Sequence, residues 1–446
     1  MRLTVIAILI LLSSIAGKAQ QVPQDRTFQF NLQECLEYAY RNNDSLKNAQ
    51  LDIESAKYKV KETFGIGLPQ VSGSASFQDF LKIPTTLLPG DFFGQPGTFV
   101  PVKFGVKYQS SAGLALNQLL FSGSYLVGLK ASKTFKELSE KNYNRTKIAT
   151  TLAVTKAYYQ VLVSNEQIQL LNANVSQLEK QLKETTELNK QGFVEKIDLD
   201  RLRVIYNNLL TTRENTERLL VLSTQLLKFQ IGMPVTAELG VKDKISNISM
   251  DVLTSVAVDT TAYRNRIEYG LLETQRKLNA LNVQRLKSEY LPTLAAFGNT
   301  SYQYQADSFG SLYDTKFPTT VIGLQLNVPI FSGFQKKYQI KQAEIDVKKN
   351  DNILNMAKNG YLLQQEQSRI TYQNGIKSLN NQKANMELAR EVLRVSSIKY
   401  KEGVGSSIEV TQAQTELETA ENNYIQALYN ALVSKVDLDN AYGRIQ

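Results

Sequence analysis

Histidine and tryptophan are missing from this chain altogether, and cysteine occurs once, at Cys35. Without histidine there is no Ser-His or Cys-His triad, no HExxH zinc motif and no mixed His/Cys metal site, which removes most hydrolase and metalloenzyme chemistry. One cysteine cannot close an internal disulfide, so packing and strand pairing must hold the chain together. Cys35 itself is expected to be a small buried apolar side chain. No GxxxxGK[ST], GxGxxG or GxSxG pattern occurs, so a nucleotide site and a hydrolase nucleophile elbow have no motif to stand on. The residues describe a protein that is not an enzyme, takes no cofactor or metal, and draws any energy for transport from another protein.

Long apolar runs are equally scarce. The one from Leu3 to Ile15 follows Arg2 and precedes the small-residue pattern Gly17-Lys18-Ala19, the layout of a Sec-type signal peptide over residues 1–19. It is shorter than the roughly 20 apolar residues of a membrane-spanning helix, and no later stretch reaches that length. A bacterial lipoprotein needs a cysteine directly after the cleavage site; Cys35 lies too far along, so a lipid anchor is not expected. The formal charge is +9, but Lys and Glu interleave along helical stretches, as on a solvated surface, and no nucleic-acid partner is expected.

What the chain does contain is itself, twice. Tyr40-Arg41-Asn42 returns as Tyr263-Arg264-Asn265, and Leu68-Pro69-Gln70 as Leu291-Pro292-Thr293, both displaced by 223 residues. Asn117 with Phe121-Ser122-Gly123 returns as Asn327 with Phe331-Ser332-Gly333, displaced by 210, and Gly192 returns as Gly403. The chain therefore divides into a first repeat over 20–230, an inter-repeat segment over 231–262 and a second repeat over 263–446. The smaller second displacement gives the first copy 13 extra residues. They fall in Leu81 to Lys103, whose prolines and glycines (Pro84, Pro89, Pro96, Pro101, Gly90, Gly94, Gly97) read as a loop.

Each copy has two stretches of period-two alternation around that position, near 70–80 and 104–118, then near 293–305 and 319–328. Val71, Gly73, Ala75 and Phe77 alternate with Ser72, Ser74, Ser76 and Gln78; Ile322, Leu324 and Leu326 alternate with Gly323, Gln325 and Asn327. Segments of about ten residues with one apolar face and tyrosines near their ends suit tilted membrane-spanning strands. Four strands cannot close a barrel, and an open edge in lipid leaves backbone groups unpaired, so copies must associate. After each Phe-Ser-Gly comes a proline-free stretch ending at Gly192 or Gly403, long enough for a helix of roughly 100 Å at 1.5 Å per residue. The chain then returns through coiled-coil spacing, Leu202, Ile205, Leu209, Thr212, Thr216 and Leu219 in one copy and Val410, Ala413, Leu417, Ala420, Tyr424 and Ala427 in the other. The fold class is mixed α/β, a duplicated strand-helix repeat with helical hairpins whose tips lie near 192 and 403.

The amphipathic opening Leu32 to Tyr40, Asn42-Asn43, the two Leu-Pro strand starts, the two Phe-Ser-Gly exits and the paired glycine tips together resemble the TolC-like outer-membrane factors, from about Leu32 to Tyr442. The resemblance implies a homotrimer in the outer membrane of a Gram-negative bacterium. Each protomer would give four strands to a 12-stranded barrel set in outer-membrane lipids, continuous with a long periplasmic α-helical barrel and a small equatorial region. It also implies a passive duct of a tripartite efflux or type I secretion system, docked to a periplasmic adaptor (membrane fusion) protein and an inner-membrane pump. Gly192, Phe193 and Val194 on one tip, and Gly403, Val404, Gly405 and Ser406 on the other, match the family's adaptor-contact tips. Asp198, Tyr400 and Glu409 match positions at its periplasmic gate, the two carboxylates forming an acidic ring in a trimer. Gly405 and Gln412 replace an arginine and a second aspartate of the family's best-studied gate, which implies a differently bonded closure. The alternative is a periplasmic coiled-coil adaptor or tether without channel activity, although an adaptor carries one hairpin flanked by small β-domains.

Overall fold

A computed structural model describes residues 28–94, 96–245, 248 and 260–445. The signal peptide and much of the inter-repeat segment lie outside the described residues. The first repeat runs β1 (Phe28–Phe30), α1 (Leu32–Asn42), α2 (Asp44–Gly65), β2 (Gln70–Asp79), β3 (Thr85–Pro89), β4 (Phe99–Lys103), β5 (Tyr108–Phe121), α3 (Gly123–Lys190) and α4 (Lys196–Ile231). After β6 (Leu239–Val241), the second supplies α5 (Ile267–Ser288), β7 (Thr293–Ala306), β8 (Lys316–Asn327), α6 (Gln335–Lys401) and α7 (Ser407–Ala441). Helices α3 and α6 run 68 and 67 residues without interruption, as their freedom from proline permits. The chain forms two compact units, Met1–Lys47 with Thr146–Ala262 and Leu362–Gln446, and Asn48–Arg145 with Tyr263–Tyr361.

The second of these holds the sheet. Its order is β2-β5-β7-β8, all antiparallel, so each repeat gives one hairpin and the two hairpins join through β5 and β7. The register keeps like with like. Val71 faces Leu116, Leu116 faces Gly298 and Gly298 faces Ile322 along one row, while Ser76, Ser111 and Gln303 share another on the opposite face. Ser76 and Ser111 are hydrogen-bonded through their hydroxyls at 2.9 Å. On the apolar face, Ile322 is 84 % and Leu324 69 % exposed, so within one chain nothing covers it. Aromatic side chains gather at the end of the sheet away from α3: Phe77, Tyr108 and Phe309 pack together, as do Tyr304 and Tyr313.

The segment read as a loop contains a hairpin of its own. β3 pairs with β4 from Thr85↔Lys103 to Pro89↔Phe99. Proline density argued against strands there, but both members of a two-stranded ribbon are edges, where a missing N–H costs no ladder bond if it faces outward.

In the other unit α1 starts on a capping box: Asn31 Oδ1 accepts from the Glu34 N–H, and Glu34 Oε2 accepts from the Asn31 N–H, each at 2.8 Å. Its apolar stripe places Cys35 and Ala39 in a core with Val154, Tyr158, Leu227 and Ile231. Cys35 is fully buried, and burial, then the nearby Glu34 and Asp243 charges, push its thiol up to about 12. Gly232 ends α4 at φ +73°, and a Cβ there would sit 2.6 Å from the Asn42 carbonyl oxygen. Only glycine satisfies both the left-handed turn and that close approach. Farther along, Leu171, Val175 and Leu178 of α3 pack on Leu202 and Leu209 of α4, and Met386 and Leu393 of α6 on Val410, Ala413 and Leu417 of α7. These are two antiparallel coiled hairpins.

Candidate functional site: the helical tips

Both hairpins turn by the same device. Helix α3 closes with the Phe193 N–H donating to the Leu188 carbonyl at 3.0 Å and the Gly192 N–H to Asn189 at 3.0 Å. Helix α6 closes with Val404 on Lys399 at 3.0 Å and Gly403 on Tyr400 at 3.1 Å. This is the Schellman cap, whose hinge residue needs positive φ; Gly192 has φ +80° and Gly403 +75°. The cap turns Phe193 and Val404 outward, 77 % and 78 % exposed. Each turn thus holds one large apolar side chain in water.

Gly405 follows immediately, and a Cβ there would lie 3.0 Å from the Lys399 Cβ and the Tyr400 nitrogen. The second tip is thus packed too closely on the last turn of α6 to take an arginine without shifting it. Ser406 then caps α7, its hydroxyl accepting from the Glu409 N–H at 3.2 Å. Helix α4 starts on Glu195, with no side-chain cap.

Asp198 and Glu409 occupy the same place, the third residue of α4 and of α7, where a carboxylate is favoured by the positive end of the helix. Their surroundings differ. Asp198 Oδ1 accepts from the Ser407 hydroxyl of the other hairpin and from Arg201 Nη1 at 3.2 Å. Tyr400 borders the same cavity of about 20 Å³, with Leu178, Leu202, Ser407 and Val410, room for about one water. Burial raises the Tyr400 phenol above its usual range, and the Asp198 charge adds to it. Within one chain, then, Asp198 and Tyr400 are brought together and Glu409 stays exposed apart from them. Gln412 is also elsewhere, its amide donating to Glu416 at 3.0 Å.

Two features escape a reading of the sequence. Ser407 looks like a redundant cap beside Ser406, yet it is the group that ties α7 to Asp198. Glu421 is 5 % exposed in the α7 seam, where Asn174 Nδ2 donates to it at 2.5 Å and Arg390 Nη2 at 3.3 Å. Burial nonetheless raises its carboxyl above the usual range. A charge one position past Ala420 in an apolar 3,4 seam was the signal available for it.

Alternating strands with an uncovered apolar face, carried in a duplicated chain with two long helical hairpins, define an outer-membrane transport protein of the channel type. The chain belongs to the outer membrane efflux protein family, whose model matches residues 35–207 and 272–444. It is 22% identical to the outer membrane protein TolC of Salmonella enteritidis over 426 residues, 93% of this chain and 82% of that protein. It is also 22% identical to the probable efflux pump outer membrane protein TtgC of Pseudomonas putida, over 92% of this chain and 82% of that one. Among solved structures, the Campylobacter jejuni CmeC outer membrane channel superposes with a TM-score of 0.73 at 17% identity, covering 95% of this chain and 90% of its own. The family membership decides against the periplasmic adaptor.

Proposed function

We propose that three copies of this chain close a twelve-stranded barrel in the outer membrane and a helical tunnel in the periplasm. The assembly is a passive exit duct for substrates delivered by an inner-membrane pump through a periplasmic adaptor. The observation that carries this is the sheet: its apolar face is exposed and its outer strands, β2 and β8, each have one unpaired edge among the described residues. In lipid such edges leave backbone donors and acceptors without water, each costing several kcal/mol or about that. Pairing β8 of one copy with β2 of the next removes every edge and puts Ser72, Ser74, Ser76, Asn299, Ser301 and Gln303 on the lumen side.

On the helical hairpins, Phe193 and Val404 with their glycine turns are the adaptor contacts. Asp198, Ser407 and Tyr400 hold the two hairpins of one protomer together at the entrance, and three exposed Glu409 side chains form an acidic ring there. Extraction of separated envelope fractions, followed by native mass and planar-bilayer conductance, tests the proposal. A conducting trimer from the outer membrane is the expected result, and a soluble monomer would sink it.

A further inference from the structure

The first repeat carries a hairpin that the second lacks, and its chemistry is unlike that of a solvated loop. Leu88, Val100 and Val102 lie on its half-buried face, while Leu87 and Phe99 on the other face are 63 % and 69 % exposed and Phe92 at the turn is 80 % exposed. The ribbon is apolar on both sides and one side is uncovered.

Three observations locate what covers it. The hairpin leaves the sheet beyond Asp79 and Tyr108, past the ring of Phe77, Tyr108, Phe309, Tyr304 and Tyr313. Such an aromatic girdle marks the level where the bilayer ends, so the hairpin stands in the aqueous layer, where acyl chains do not reach. Its stem leans to the polar side of the sheet: the Cβ position of Gly105 is 3.9 Å from both Ile83 Cγ2 and Gln109 Nε2, and Gln109 shares the polar row with Gln78 and Gln305. Finally, the length fits. Twelve strands about 4.8 Å apart, tilted by about 40°, enclose a radius of about 12 Å, and a five-residue arm spans about 17 Å.

We propose that the β3–β4 hairpins of three copies meet over the outer mouth of the barrel and close it as an apolar lid. The inference rests on the trimeric barrel proposed above. The occupants of each uncovered face are the Leu87, Phe92 and Phe99 side chains of the two neighbouring copies. The lid is a second barrier, distinct from the one at the helical tips.

Because Cys35 is the only native thiol and is buried, a Phe92→Cys variant carries one reactive sulfur per chain. The experiment oxidises the purified variant with copper phenanthroline and, in parallel, weighs the same preparation by native mass spectrometry. Three cysteines around one axis can form a single disulfide, so the expected denaturing gel shows a dimer band beside residual monomer. A Leu87→Ser/Phe92→Ser/Phe99→Ser variant, which keeps the native thiol count, is expected to conduct severalfold more in planar bilayers. A trimer by mass that yields no cross-link, or that cross-links while the serine variant conducts as the parent does, overturns the lid. A monomer by mass fails the barrel reading itself, and the lid with it.

Discussion

Removing one hydroxyl, in Ser407→Ala, isolates the contact between the two hairpins of a protomer. Ser407 donates to Asp198 Oδ1 across the tips, and among the described residues the only other bond to that oxygen is from Arg201 on the same helix as Asp198. The serine contact therefore opposes separation of α4 from α7 at this level, beside the Lys401–Glu184 ion pair that joins α6 to α3 at 2.9 Å. A hydrogen bond to a charged acceptor contributes about 1.5 to 3 kcal/mol. The lower end applies here, because the Asp198 side chain is 21% exposed and water can replace the lost donor. About 1.5 kcal/mol is roughly a tenfold change in an open-closed equilibrium. If the three protomers open together the effects multiply, to about 4.5 kcal/mol and roughly a thousandfold. Single-channel recording reads this as longer open dwell times, and Ser407→Thr, which keeps the hydroxyl, should restore parental gating. Identical open probability in Ser407→Ala and the parent would refute a latch at this contact.

Gly232→Ala should destabilise the unit containing α1 by at least about 2 kcal/mol, from left-handed strain plus the collision with the Asn42 carbonyl; a Tm equal to the parent's contradicts this. Cys35 should stay unlabelled by a maleimide at pH 8 in the folded protein and react fully in denaturant, since its thiol is buried and pushed up to about 12. Glu421→Gln tests the buried carboxyl, whose folded value lies above the ordinary 4.5. The folded state then holds its proton more tightly than the unfolded one, so this group's contribution is full below pH 4.5 and declines as pH rises through the folded value. The glutamine variant should lose that decline, so its melting temperature relative to the parent's should rise from acid to neutral pH, read by melting both across a pH series.

The four sheet strands were legible because a half-covered sheet imposes a period of two, which Val71 to Gln78 obeys residue by residue. The long helices were legible from the absence of proline over α3 and α6. The β3–β4 hairpin was not, because Pro89 and Pro101 are signals of a loop unless both strands are known to be edges. At the tips the glycine turns were readable from their chemistry, but the pairing of Asp198 with Ser407 was not. The duplication makes Asp198 and Glu409 equivalent by position, and position does not say which of two serines reaches which carboxylate.

The internal joint of the sheet is also a template for the external one. In the proposed ring, β8 meets the next copy's β2 as β5 meets β7, a second-strand-to-first-strand contact between consecutive repeats. Shifting the observed pairing of Asn117 with Phe297 by the two displacements of the duplication places Asn327 beside Ser74 of the neighbour and Leu324 beside Phe77, apolar row on apolar row. Strand β5, paired on both sides, continues to Phe121, whereas β8, paired on one, stops at Asn327, the counterpart of Asn117. Val328 to Phe331, the counterparts of Gln118 to Phe121, have no strand partner among the described residues of the chain, and in the proposed ring the same displacement sets Pro329 beside the neighbour's Ser72 and Phe331 beside its Val71. Duplication has turned a ring of six like joints into one in which every second joint forms within a chain, leaving assembly with only three encounters to complete.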